Sequence, residues 1–392
     1  MATPETCRID TLLQSYIDTG ITAGISAYVE RSGKALYRGE FGPADIETAR
    51  PVRPDTIFRI FSMSKVVTSV AALILFERGL YKMYDPVSRF IPAFKNPTVY
   101  AAATDGKVFE RPAAREIRVR DLFTMTSGIP YGGDNTPTEK QMKKAFDRLD
   151  AKAKKTGVWP TTRERVEEAG RLPLEFDPGD HWKYGFSIDV LGGLVEVLSG
   201  KTLGEFMRDE ILDPLGMTDT GFYVPAAKMD RFASMYPVGS DGRIKPVKIE
   251  KMDYTKAPAF ESGGGGLVST IDDYAAFARM LLTGKTAEGR RILGRKTIDL
   301  MRSSHLTAAQ AVTYDWDTQR GYSYGLGVRT LMDPARAGCS GSVGEFGWDG
   351  YAGTWFCVDP AEDLIAIFMT QRAPGGHIQT IPPFKAAFYS ML

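Results

Sequence analysis

The segment 62–80 constrains this chain more than any other. Val66, Val67, Val70, Leu73, Ile74, Leu75 and Phe76 leave its helix almost no polar face, and Arg78-Gly79 ends it. A helix apolar nearly all round has to be surrounded by other protein, and glycine suits the left-handed position after a helix end. A bilayer would also accept such a helix, but residues 66–76 fall short of the ~20 needed to span one and include Thr68 and Ser69. The spacing therefore predicts a central helix in a sizeable core, which 392 residues at 43% hydrophobic can supply.

Elements of both kinds are expected around it. Residues 4–20 carry Ile9, Leu12, Leu13, Tyr16 and Ile17 at helical spacing, with Thr3 as cap. Two strand-like runs, 24–30 and 35–39, flank Arg31-Ser32-Gly33-Lys34, a short hairpin loop, and a further short strand is expected at 56–60. From 84 to 236 the pattern is mainly helical, clearest at 121–125, 187–198 and 203–211. The charged stretch 138–171 reads as solvated helix surface, with a lid as the weaker alternative. After Gly263-Gly264-Gly265-Gly266 come a capped helix at 270–282, strands at 326–331, 353–358 and 364–370, and a closing helix near 383–392. Strands in hairpin-like series, without βαβ alternation, predict an antiparallel sheet. The expected fold class is α/β of the α+β type. An antiparallel sheet flanked by helices is built from 1–83 and 240–392, and a second, all-helical domain from 84–239.

Several function classes drop out. With 49 Lys+Arg against 48 Asp+Glu, no basic excess exists to neutralise a phosphate backbone. No basic segment followed by an apolar stretch opens the chain, and three cysteines without C-x-x-C spacing make no disulfide framework; a cytoplasmic protein is expected. His181, His305 and His377 are scattered, with no H-E-x-x-H. Gly200-Lys201-Thr202 and Gly284-Lys285-Thr286 imitate a phosphate loop, but Val195 and Arg279 stand where its first glycine belongs. No metal or cofactor is expected, and the expected partner is a small molecule, neither nucleic acid nor membrane. The oligomeric state is not legible.

Two serines compete for chemistry. Gly321-Tyr322-Ser323-Tyr324-Gly325 matches G-x-S-x-G, yet the residues that follow resemble a strand where a nucleophile elbow needs a helix. Ser62-Met63-Ser64-Lys65 has the better context. Ser62 follows a short strand and opens the buried helix, where N–H groups point outward. Lys65 lies one turn on along the same face, and taking its ammonium out of water favours the proton-accepting form. The competing reading is a serine cap followed by a solvated lysine. Tyr184, on the glycine-flanked turn before Ser187, can present a phenol to a cleft as a proton carrier, although a core aromatic fits the pattern too. In Gly347-Trp348-Asp349-Gly350-Tyr351-Ala352-Gly353, small residues opening a strand let backbone N–H groups approach a ligand; a plain bulge is the alternative.

In this order the three stretches resemble the serine β-lactamase and penicillin-binding-protein superfamily, and most closely its class C β-lactamases and family VIII carboxylesterases. Ile57-Phe58-Arg59, the segment 121–129, Pro214-Leu215-Gly216-Met217 and the segment 262–267 add to the likeness. The resemblance implies Ser62 as acylated nucleophile, Lys65 as its base or relay, and Tyr184 as the group that deprotonates Ser62 or protonates the leaving group. It implies an oxyanion hole from the backbone N–H groups of Ser62 and Tyr351, and a site in the cleft between two domains. Trp348, Gly350, Tyr131, Trp182 and Phe186 are expected along the substrate pocket. Two departures bear on substrate. Phe186 replaces the asparagine of Y-x-N, and Trp348-Asp349-Gly350 replaces K-T-G, so the cationic anchor for a substrate carboxylate is gone. Small uncharged esters are therefore expected. A β-lactamase, a D-amino-acid peptidase or amidase, and an acyltransferase are the alternatives on the same machinery, and a non-catalytic binding protein is the alternative without it.

Overall fold

A computed structural model describes residues 4–102, 108–249 and 253–392; Thr3, expected as a cap, lies outside them. Helix α1 (Pro4–Asp18) leads into β1 (Ile25–Arg31) and β2 (Lys34–Phe41). The hairpin turns at Ser32 and Gly33, both at positive φ (51° and 72°), the backbone that matches the strands' twist. Helix α2 (Ser64–Glu77) is the buried helix, and α3 (Ser187–Ser199) packs along it. Helix α4 (Ile271–Thr283) follows, its cap Thr270 accepting from the Asp273 N–H. The chain ends with β3 (Tyr322–Tyr324), β4 (Arg329–Leu331), β5 (Phe346–Asp349), β6 (Trp355–Asp359), β7 (Leu364–Thr370) and α5 (His377–Tyr389).

The strands form one sheet in the order β3-β4-β5-β6-β7-β1-β2, antiparallel throughout. Its central strands are apolar on both faces because both are covered. Ile25, Ala27, Val29, Ala366 and Phe368 pack beneath α1 and α5. Phe356, Ile365, Ile367 and Met369 point the other way, into a core that runs through α2 and α4 to Leu122, Ile188 and Leu191. Val66, Val67, Val70 and Leu73 on α2 have no exposed surface, each contributing about 1.5–3 kcal/mol by burial. Thus α2 is shared, with the sheet on one side and the helical middle of the chain on the other.

Several details differ from expectation. The middle is not all helix, because Thr98–Ala102 and Val108–Pro112 pair as a hairpin. The last helix starts at His377, not near 383, and carries Pro382 and Pro383 inside it, giving up two backbone donors. Residues 346–349, read only as a lead-in, form β5. Among the described residues no helix is long and apolar enough to cross a membrane.

Candidate active site

Ser62 lies in a 3-10 turn, Phe61–Met63, between the short strand Phe58–Arg59 and α2. Phe61 holds φ at 42°, a left-handed backbone that is rare away from glycine. Ser62 therefore projects from a sharp bend before the α-helix proper, and neither helix start has a side-chain cap bond. Its Oγ accepts from Lys65 Nζ at 3.1 Å. Lys65 is only 1% exposed, and its Nζ also donates to the Gly264 carbonyl. The amine lies over the Tyr184 ring, 4.6 Å from its centroid, and 5.5 Å from that of Tyr131. Aromatic faces favour a cation there.

The glycine loop 262–266 is stitched to α2. Ser64 Oγ accepts from the Leu267 N–H (3.0 Å), and Thr68 Oγ1 donates to the Gly263 carbonyl (2.8 Å). From the other side Asp189, in the first turn of α3, accepts from Ser262 Oγ (2.6 Å) and the Gly264 N–H (3.0 Å). Burial pushes the Asp189 carboxyl above its usual range, while the Lys65 ammonium and those two donors pull against it. Its Oδ2 is buried with no partner among the described residues. Sequence reasoning missed Asp189. It stands five residues after Tyr184, but nothing local says that its side chain turns beneath Lys65.

Tyr184 arrives on the turn before α3. Gly185 presses so close to the Ile129 carbonyl that a Cβ would overlap it. The Tyr184 hydroxyl accepts from Trp348 Nε1 at 3.3 Å, and the two rings stack at 5.8 Å and 23°. Lys65 thus meets the face of Tyr184, and the phenol oxygen meets the indole. Burial, with Asp189 nearby, pushes the Tyr131 phenol well up, so Tyr131 stays protonated.

Tyr351 follows β5 in a tight turn. Gly350 packs directly on the Ile60 carbonyl, where any Cβ would overlap, and Thr354 Oγ1 donates to the same carbonyl at 3.3 Å. This close approach brings Tyr351 beside Phe61, ring centroids 5.6 Å apart. Among the described residues, neither the Ser62 nor the Tyr351 N–H donates to another backbone carbonyl, so both are available to a ligand oxygen. Of the expected pocket residues, Phe186 and Trp348 are almost wholly buried behind Tyr131 and Tyr184. Trp182 and Tyr184 border an open groove of about 590 Å³ with Trp316, which sequence reasoning did not single out. Ser323 lies within β3, its Oγ hydrogen-bonded to Ser304 Oγ at 2.8 Å. A strand residue paired on β4 is not on an elbow. No cluster suited to a metal stands among the described residues.

A protein-family model described as Beta-lactamase matches residues 9–386. Protein Rv1367c of Mycobacterium tuberculosis is 34% identical over 369 residues, 92% of this chain and 89% of that protein. Esterase EstB of Burkholderia gladioli is 29% identical over 392 residues, 94% of this chain and 91% of EstB. Among solved structures, EstCE1, a hydrolase with promiscuous acyltransferase activity, is similar with a TM-score of 0.79 and 26% identity, 98% of each chain being covered.

Proposed function

The chain belongs to the β-lactamase family, as an enzyme of the serine β-lactamase-like hydrolases, and from that premise we propose that it hydrolyses small carboxylic esters through an acyl-enzyme on Ser62. The observation that carries the reading is the buried Lys65 amine, 3.1 Å from Ser62 Oγ and held there by the Gly264 carbonyl. In its neutral form this amine takes the Ser62 proton as Oγ attacks the ester carbonyl carbon. The carbonyl oxygen becomes an oxyanion facing the Ser62 and Tyr351 N–H groups. As the C–O bond to the alcohol breaks, Tyr184 gives its proton to the alkoxide. Its oxygen already accepts from Trp348, so its own O–H is free to donate. The Lys65 ammonium, resting on the Tyr184 ring, then returns the proton to the phenolate. Water repeats the sequence on the acyl-enzyme and releases the acid.

Esters are favoured over β-lactams by Trp348-Asp349-Gly350, which by the family resemblance stands in place of K-T-G and its lysine. The likeness to EstB, named as an esterase, supports the same choice. Comparing turnover of p-nitrophenyl butyrate, nitrocefin and a D-alanyl amide tests it: the ester should dominate, and dominant lactam or amide cleavage defeats the reading. Acyl transfer is the second reading, favoured by the open groove beside Tyr184, where an alcohol could replace water, and by the description of EstCE1. Product analysis with added alcohols separates the two.

A further inference from the structure

Behind the strand end that carries Trp348 and Tyr351, on the other face of the sheet, lies a second cavity of about 530 Å³. Pairing puts it there. Trp348 faces Phe356 in register and belongs to the core around α2, whereas Asp349 faces Trp355, which packs with Ile381 beneath α5. Neither Ser62, Lys65 nor Tyr184 lines the cavity, and its size is within the range that takes a small organic ligand.

Its floor is apolar, formed by Trp355, Ile381 and Pro382. Pro382, one of the two prolines inside α5, supplies part of it. One wall is the Arg329 guanidinium, only 6% exposed. Arg329 gives one hydrogen bond, Nη1 to Asp349 Oδ2 at 2.5 Å. Of its five N–H donors, the rest have no partner among the described residues, although the buried polar atoms left unbonded do not include them. The guanidinium is part of the cavity lining. Arg336 also lines the cavity, exposed on the short helix Pro334–Ala337, with no carboxylate partner among the described residues.

Charge decides the ligand class. Lys385, deeper in the wall, is matched by Glu345 at 2.7 Å. Beside His377, the remaining lining holds Arg320, Arg329 and Arg336 against Asp317 and Asp349, a surplus of one positive charge among the arginines and aspartates. A monoanion neutralises that surplus, whereas a phosphate dianion would exceed it next to Asp349. A planar carboxylate also matches the fork of a guanidinium, and the apolar floor calls for a hydrocarbon body behind the acid group.

We propose that this cavity binds an amphipathic carboxylate, an alkanoate or arylalkanoate whose acid group pairs with Arg329 and Arg336 and whose body lies on Trp355, Ile381 and Pro382. The site stands whether or not Ser62 is a nucleophile. It is tested on the full chain carrying Ser62→Ala, so that turnover cannot confuse the result, by titrating octanoate and 1-octanol with calorimetry and tryptophan fluorescence. Octanoate should bind one-to-one and 1-octanol at least ~10-fold more weakly. Arg336→Glu, on an exposed helix whose loss of charge leaves the core intact, should weaken octanoate ~10-fold or more, as should Arg329→Gln. Equal affinity of the Ser62→Ala chain with and without Arg336→Glu overturns the proposal. So does equal binding of the alcohol, or no octanoate binding up to about 10 mM.

Discussion

The loop that holds Lys65 offers a sharp comparison between two neighbouring glycines. A Cβ on Gly264 would overlap Asp189 Oδ2 and come 2.7 Å from the Tyr131 hydroxyl. Neither obstacle is free to leave, since Asp189 is fully buried on α3 and Tyr131 is wedged against Tyr184 and Phe186. The loop must therefore retreat by ~0.5–1 Å, and it carries the Gly264 carbonyl that receives Lys65 Nζ. Misplacement on that scale costs roughly 10²-fold in rate, about 2.7 kcal/mol in the barrier. The overpacking itself costs about 1–3 kcal/mol of stability. A Cβ on Gly265, one residue on, meets nothing nearer than the Phe61 backbone carbon at 3.8 Å, an ordinary contact. Gly264→Ala should thus lose roughly 10²-fold in kcat/KM for p-nitrophenyl butyrate, with a matching fall in the rate at which a fluorophosphonate labels Ser62. Gly265→Ala should stay near wild type in both. If folded Gly264→Ala works as well as Gly265→Ala, the grip of this loop on Lys65 has no part in the reaction.

Other perturbations separate the remaining parts. Ser62→Ala should abolish ester turnover and Ser323→Ala should retain it; the reverse outcome would return the nucleophile to β3. Lys65→Met should cost ~10²–10⁴ in kcat, and Tyr184→Phe should lose more with alkyl esters than with p-nitrophenyl esters, whose leaving group needs no proton; steady-state kinetics on both ester types decide it. Asp273, on α4 and away from the site, reports on pH. Burial pushes its carboxyl up to about 6, against the opposing hydrogen bond from Thr220. The folded chain therefore keeps a proton that the unfolded chain releases near pH 4. The resulting stability is present below pH ~4 and lost as pH rises through ~6, an effect of about 3 kcal/mol. Denaturant titrations at pH 4 and pH 7 should show wild type losing stability relative to Asp273→Asn by that order; parallel curves would refute it.

Much of the fold was legible because it rests on local rules. The apolar run after Ser62 has no solvent face, so its burial was readable, as were the Ser32-Gly33 turn and the Thr270 cap. Where local signals compete, reading was poorer. The closing helix was expected near 383, yet the packed helix begins at His377 and tolerates Pro382 and Pro383 inside it. The hairpin at Thr98–Ala102 was lost in a helical neighbourhood.

The sequence by itself determined that a serine and a lysine share one face at the mouth of a buried helix, since three residues along a helix is a local distance. Only the tertiary structure decided what surrounds them. The Gly264 carbonyl, the Tyr184 ring with the Asp189 carboxylate, and the Tyr351 N–H come from three distant segments, brought together by the packing of α3 on α2 and by Gly350 seated against Ile60. Likewise, the pairing of β3 with β4 removed Ser323 from contention. Local spacing specifies which atoms lie within a turn of each other, whereas these contacts depend on how sheet register and helix packing close the long loops between them.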